Sequence, residues 1–220
     1  MAEINFLEKY QKATTRDYVA RVIEHDKAEC AEKAKQWGVD YWDGERQYGY
    51  GGYSYDGRWR PIAEDFARHY GLKAGDKILD VGCGKAFLLY EFTQILPGVE
   101  VVGIDISEYG IENAKNEAKP FLRVGNCIDL LYEDNSFDFV YSLNTFHNLQ
   151  NFELDRAVRE VERVGKGSKY IGVESYRNER EKANLLYWQL TCESFLRPEA
   201  WVWTFEKAGY TGDCGFIYFE

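Results

Sequence analysis

The stretch "ILDVGCGKAFLL", residues 78–89, constrains the fold of this chain more than any other segment. An apolar run with strand character ends in Asp80, a glycine turn follows, and a helical pattern begins at once. Gly82 and Gly84 let a ligand approach the backbone closely, and the start of a helix favours negative charge. About twenty residues further on, "VVGIDIS" ends a second strand in Asp105, where a carboxylate can take both hydroxyls of a ribose. A strand, a tight turn and a helix, followed by a second strand with an acid at its end, is a nucleotide-binding arrangement.

The rest of the chain continues the alternation. "FLRVGN", "SFDFVYSL" and "SKYIGVES" read as strands, and "SEYGIENAKNEA", capped by Ser107, and "FELDRAVREVERVG" read as helices. Alternation predicts an α/β fold, a parallel sheet with helices on both faces, and ligands beyond the carboxyl ends of the strands. "PEAWVWTFEKAGY" predicts a helix, and "GDCGFIYFE" a last strand that closes the sheet antiparallel. Before the alternation begins, residues Arg16 to Trp37 predict a charged helix, with Thr15 to cap it and Gly38 to end it. "RPIAEDFARHYG" predicts an amphipathic helix with Pro61 in its first turn and Gly71 as its stop.

The glycine turn with Asp105 is compatible with a nicotinamide cofactor, but Phe87 stands where the dinucleotide fingerprint has its third glycine. Asp80 decides further. Its carboxylate repels a pyrophosphate and tolerates an ammonium group, which favours S-adenosylmethionine.

"LDVGCGKAF", "VVGIDIS", "NCIDLLYEDNSFDFVYSLNTFHNL" and "ERVGKGSKYIGVES" resemble the successive motifs of class I S-adenosylmethionine-dependent methyltransferases, from Lys77 to the C-terminus. The resemblance implies a Rossmann-like, seven-stranded, mostly parallel sheet with an N-terminal helical cap. It implies that Gly82 and Gly84 pack on the methionine part, that Asp105 holds the ribose, and that Asn126 holds the adenine amine; Asp80, Ile106, Cys127 and Leu143 are further candidates for the cofactor. Asn126 replaces the family's aspartate, and its amide oxygen can accept the same hydrogen bond. Ala86 replaces the last turn glycine, which requires a negative φ there. The whole chain, including "DYWDGERQYGYGGYSYDGRW" and "SYRNE", is also similar to small methyltransferases of bacterial capsule and lipopolysaccharide gene clusters. That similarity implies a sugar-linked or phosphoramidate-type acceptor.

Residues 49–59, "GYGGYSYDGRW", crowd aromatics and glycines just before the helix that leads into the first strand. They predict a lid whose tyrosines cover a sulfonium. The alternative is a surface loop pinned by aromatic anchors. Tyr53 and Arg58 are candidates for the cofactor, Arg58 through the methionine carboxylate or through an anion on the acceptor; its alternative is a surface ion pair. Tyr50, Tyr55, Trp59 and Arg177 are candidates for the acceptor. His147, past the fourth strand, has the unperturbed pKa of roughly 6.5 that suits a base at neutral pH; its alternative is a cap or core histidine. Glu174, at the end of the fifth strand, can orient His147, bind an acceptor amine or pair with Arg177. His25, His69 and Arg180 read as helix-surface residues.

These assignments predict a methyltransferase acting on a small polar acceptor, through oxygen ahead of nitrogen. The rivals are a nicotinamide oxidoreductase and a non-catalytic cofactor-binding partner. The net charge of −10 disfavours nucleic acid and anionic membranes as partners. Five cysteines without a C-x-x-C, and no apolar leader or membrane-length run, predict reduced thiols in a cytoplasmic protein. No acidic or histidine set has metal-ligand spacing. Residues 1–71 read as cap and lid, and 72–220 as the core, with 175–195 as a substrate-side insertion.

Overall fold

The computed structural model describes residues 1–8 and 16–220. Six strands form one sheet: β1 (Lys77–Val81), β2 (Glu100–Asp105), β3 (Leu122–Val124), β4 (Phe137–Leu143), β5 (Gly165–Glu174) and β6 (Asp213–Ile217). Their order is β3-β2-β1-β4-β5-β6. Strand order reverses between β1 and β4, and in open parallel sheets the ligand crevice lies at that switch.

The pairing corrects two expectations. The sheet has six strands among the described residues, where the resemblance implied seven. The last strand is parallel to β5, with Tyr170 opposite Asp213 and Glu174 opposite Ile217. The reason lies in the connection. The chain leaves β5 through α8 (Glu179–Trp188) and returns along α9 (Pro198–Lys207), so it re-enters the sheet at the amino edge. On the far side of β6, Glu3 forms a single parallel bridge with Cys214.

Most of the expected helices form. Helix α4 (Arg60–Tyr70) carries Pro61 in its first turn and ends on Gly71 at φ 63°, a left-handed cap that suits glycine. Helix α5 (Phe87–Ile95) follows the glycine turn, and α7 (Asn151–Val164) begins with a capping box between Gln150 and Glu153. The expected helix from Arg16 to Trp37 is broken into α1 (Ala20–Ile23) and α2 (Lys27–Ala34). Asp26 causes the break, because its carboxylate accepts the N–H groups of Ala28 and Glu29 and so starts a new helix. Thr15 lies outside the described residues. A single turn, α3 (Val39–Trp42), follows. Helix α6 (Glu108–Glu112) is capped by Ser107 as expected but stops early, where the Asn113 side chain bonds the Tyr109 carbonyl.

Two apolar layers sandwich the sheet. Phe66, Phe92, Phe139, Tyr141 and Tyr170 pack on one face; Val140, Leu154, Ile171, Trp201 and Phe205 pack on the other. The aromatic side chains among them each bury about 150–250 Å² and dominate the packing on both faces. The carboxyl ends of β1, β2, β4 and β5 are therefore fixed points for functional side chains.

Candidate active site

Beyond the carboxyl ends of β1, β2 and β4 lies a cavity of about 260 Å³. Asp80, Gly82, Gly84, Asp105, Ile106, Asn126, Cys127 and Leu143 all line it, together with Tyr53 of the aromatic stretch. Asp105 is held by the turns around it: one oxygen accepts the Gly84 N–H at 2.7 Å and the other accepts the Ser107 N–H at 2.8 Å. Each oxygen keeps a lone pair for a hydroxyl. Asp80 is buried at the end of β1 and accepts the Tyr141 hydroxyl at 2.8 Å. Burial pushes its carboxyl up to about 8, and nearby Asp105 adds to the rise. A cation brought to Asp80 would restore its ionised form. Asn126 accepts the Ile128 N–H through Oδ1, so one lone pair is spent on its own turn. The Cys127 thiol is raised to about 12 by burial and is inert at neutral pH.

The glycines are required by protein neighbours as much as by a ligand. Gly82 has φ 87°, and a Cβ there would lie 2.0 Å from Thr145 Oγ1. A Cβ on Gly84 would lie 2.6 Å from the Trp42 ring. Ala86 departs from the expectation of a negative φ: it adopts φ 57° and ψ 32°. Left-handed backbone at a non-glycine residue costs about 1 kcal/mol. The Ala86 N–H is bonded to the Cys83 carbonyl at 2.8 Å, and its methyl is buried in the core that closes the turn.

The sequence reading missed several residues that complete this cavity. Trp37, Tyr41 and Trp42 line it from the N-terminal region. Trp42 stacks on Tyr50 with ring centroids 5.4 Å apart, and Tyr50 meets Tyr53 at 4.4 Å. Lys85, only 5% exposed, fixes this layer. Its ammonium donates to both Asp43 oxygens, at 2.7 and 2.6 Å, and to the Tyr53 carbonyl at 2.8 Å. The aromatic stretch is thus both a cavity wall and a pinned loop. Asn144, at the end of β4, has φ 57° and a buried side-chain oxygen with no hydrogen-bond partner. Strain and an orphaned acceptor at a strand end are marks of a site. The only signal in the sequence is an asparagine that tolerates left-handed backbone.

A second cavity, about 280 Å³, adjoins the first. Tyr41, Tyr50, Tyr53 and Asn144 line both. His147 and Glu174 line only the second, as does Arg58, which pairs with Asp56. His147 does not suit the role of base. Its Nδ1 accepts the Glu174 backbone N–H at 3.3 Å, which leaves the proton on Nε2. Nε2 faces the Glu174 carboxyl at 3.5 Å, so neither nitrogen presents a lone pair to the cavity. Burial also lowers the imidazole to about 3. Glu174 differs in having a carboxyl oxygen that no hydrogen bond claims. It is 6% exposed, burial raises it to about 8, and Gln189 donates to its Oε1 while Oε2 has no hydrogen-bond partner.

Of the acceptor candidates, Tyr50 and Trp59 line the first cavity. Tyr55 and Arg177 line neither cavity. The Tyr55 hydroxyl donates to Glu91 at 2.6 Å and its ring packs on Phe87 and Tyr90. Arg177 pairs with Glu181 and, at 2.6 Å, with Glu220, and lies over the Tyr218 ring. Both serve to hold local structure.

The first cavity offers one buried carboxyl, Asp80, one half-buried carboxyl, Asp105, and an orphaned amide oxygen, with a glycine turn beside them. Such a set suits a ligand rich in donors and bearing a positive charge. S-adenosylmethionine has an ammonium group, two ribose hydroxyls and an adenine amine. A pyrophosphate would push both carboxyls further up and find no counter-charge in them.

Comparison with known proteins agrees. The family described as "Methyltransferase domain" matches residues 72–209. The demethylmenaquinone methyltransferase of Symbiobacterium thermophilum is 34% identical over 54% of this chain and 50% of its own length. Phosphoethanolamine N-methyltransferase 1 of Arabidopsis thaliana is 34% identical over 49% of this chain and 22% of its own. The chain therefore spans half or less of the length of these curated relatives. A chain in the complex between the Haloferax volcanii Trm112 methyltransferase activator and a methyltransferase shares the fold, with a TM-score of 0.57 at 20% identity, over 89% of this chain and 77% of that one. The match over residues 72–209 and the donor set at the switch point lead to one conclusion: this chain belongs to the S-adenosylmethionine-dependent methyltransferase family.

Proposed function

We propose that the protein transfers the methyl group of S-adenosylmethionine to a small polar acceptor held in the second cavity. The methyl donor supplies a carbon already activated by a positive sulfur. The observation that carries the proposal is the junction of the two cavities at Tyr41, Tyr50, Tyr53 and Asn144, with the Glu174 carboxyl on the far side. Asp105 orients a ribose, Asp80 meets an ammonium, and the aromatic wall excludes water. Methyl transfer needs mainly alignment, and a base contributes when the acceptor is a hydroxyl.

Glu174 is that base. Once ionised, its Oε2 takes the acceptor proton, and Nε2–H of His147 faces the same oxygen and fixes its direction. His147 is thus a positioning residue. Residues 1–71 act as cap and lid over the 72–220 core, and 175–195 border the acceptor. Oxygen is the preferred target because a buried carboxyl poised near neutrality serves a hydroxyl. Transfer to nitrogen is the second reading, favoured by the name of the phosphoethanolamine N-methyltransferase relative. A sugar-linked intermediate of surface polysaccharide is the acceptor that the similarity of the 40–59 and 175–179 segments favours.

The test is the release of S-adenosylhomocysteine with a panel of sugar phosphates, phosphoramidates and amines between pH 6 and 9. The rate with a hydroxyl acceptor should rise with pH and level off above about 8, following Glu174. Glu174→Gln should lose about 10²–10⁴-fold and lose that limb. Full activity in Glu174→Gln would remove the base from the proposal.

A further inference from the structure

The second cavity has a charged end that methyl transfer alone does not require. Arg16, Arg21 and Arg46 line it, as Glu174 does. All three guanidinium groups lie over one indole, Trp188, with Arg21 at 4.6 Å, Arg46 at 5.1 Å and Arg16 at 5.5 Å from the ring. Arg21 spends Nε on the Trp188 carbonyl at 2.8 Å and one terminal nitrogen on the Arg46 carbonyl at 3.1 Å. Arg46 donates to the Gly49 carbonyl. Among the described residues, neither Arg21 nor Arg46 forms an ion pair with a carboxylate. Residues 9–15, "KYQKATT", contain no acid that could supply one.

Arg21 and Arg46 converging without a carboxylate partner among the described residues is a costly arrangement in a chain whose net charge is −10. Arg21 falls to about 10 through burial and then through repulsion by Arg46, and Arg46 falls through burial, with Arg16 contributing. A protein surface relieves such crowding with surplus acids, and here it does not. Arginine forks recognise oxyanions bidentately, and stacking on an indole sets their planes in advance. Glu174 supplies the second observation: its carboxyl is buried in the same cavity, with one oxygen unpartnered.

We infer that the second cavity binds an acceptor bearing an oxyanion, a phosphoryl or carboxylate group, at Arg21 and Arg46, with its nucleophile directed to Glu174. The inference rests on reading the second cavity as the acceptor's. It gives the acceptor two ends: an anion that neutralises the arginines, and a hydroxyl or amine whose proton the carboxylate removes. Binding at the arginine end also sets the distance at which the nucleophile meets the junction at Asn144 and Tyr50.

The experiment measures thermal stabilisation by inorganic phosphate and by acetate, each against sodium chloride at equal ionic strength, with S-adenosylhomocysteine binding followed in parallel. Phosphate or acetate should raise the melting temperature of the wild type in a saturable way. The one that does so identifies a phosphoryl or a carboxylate end. Arg21→Gln and Arg46→Gln should lose at least tenfold in anion affinity and still bind S-adenosylhomocysteine. Arg46→Lys should keep part of the affinity, which separates a lost charge from a lost fold. If neither anion exceeds chloride while S-adenosylhomocysteine binds, the oxyanion end is wrong and the methyltransferase reading stands. If S-adenosylhomocysteine fails to bind the wild type, the methyltransferase reading itself falls.

Discussion

Lys85→Met tests how far the aromatic wall depends on one buried cation. The ammonium makes three contacts, two with Asp43 and one with the Tyr53 carbonyl, and its side chain is 6% exposed against 31% for Asp43. Breaking a fully buried pair costs about 3–5 kcal/mol. Asp43 is partly solvated and retains the Tyr53 N–H and the Tyr109 hydroxyl, so a smaller loss applies, about 2–3 kcal/mol. For a chain of this size that lowers the melting temperature by about 4–12 °C. Asp43→Asn should cost at least as much, because it leaves the more deeply buried partner charged. The double variant should recover about 1–3 kcal/mol relative to the sum. The assay is urea unfolding of all four proteins, with hydrogen exchange of residues 49–59. Exchange of that loop should rise in Lys85→Met and fall when S-adenosylhomocysteine binds. A loss below about 0.5 kcal/mol, with additive single effects, refutes the argument.

Three raised carboxyls, Asp80, Asp105 and Glu174, give a pH dependence with one sign. Asp80 and Glu174 hold protons to about 8 in the folded protein and to roughly 4 when unfolded, so the folded state binds more protons between these values. His147 acts oppositely, but only below roughly 6.5. Stability of the ligand-free protein should therefore fall from pH 6.5 to 8, as melting temperatures across buffers will record; a rise over that window contradicts it. S-adenosylhomocysteine should release close to one proton from Asp80 at pH 7, read from calorimetry in buffers of different ionisation enthalpy. Gly82→Ala puts a Cβ against Thr145 at a φ of 87°, and should cost about 1–3 kcal/mol in urea unfolding along with cofactor affinity.

The sheet and the gathering of Asp80, the glycine turn and Asp105 around one cavity were legible because their signals are local. Asp80, the glycine turn and Asp105 lie within two strands and one helix, and periodicity alone separates those elements. What could not be read depends on partners far away in the chain. The direction of β6 is set by the path of α8 and α9, and nothing within "GDCGFIYFE" encodes it. His147 occupies the strand end where a base was expected, but the Glu174 N–H, 27 residues away, claims its lone pair. Tyr55 and Arg177 had the right chemistry for an acceptor and are spent on Glu91, Glu181 and Glu220. Trp42 lies against Gly84 from the N-terminal region, and Asn144 reveals itself only through its backbone angle and its orphaned oxygen.

The central claim is a division of labour: one cavity for the methyl donor, with Asp105 at its ribose end, and a second for the acceptor, with Glu174 as its base. Isothermal titration of S-adenosylhomocysteine tests it most directly. Wild type and Glu174→Gln should bind one equivalent with matching affinity, while Asp105→Ala should lose about 10–100-fold, the equivalent of about 1.5–3 kcal/mol for a hydrogen bond to a charged group. Equal affinity for Asp105→Ala and the wild type, or a comparable loss in Glu174→Gln, would contradict the assignment of the two cavities.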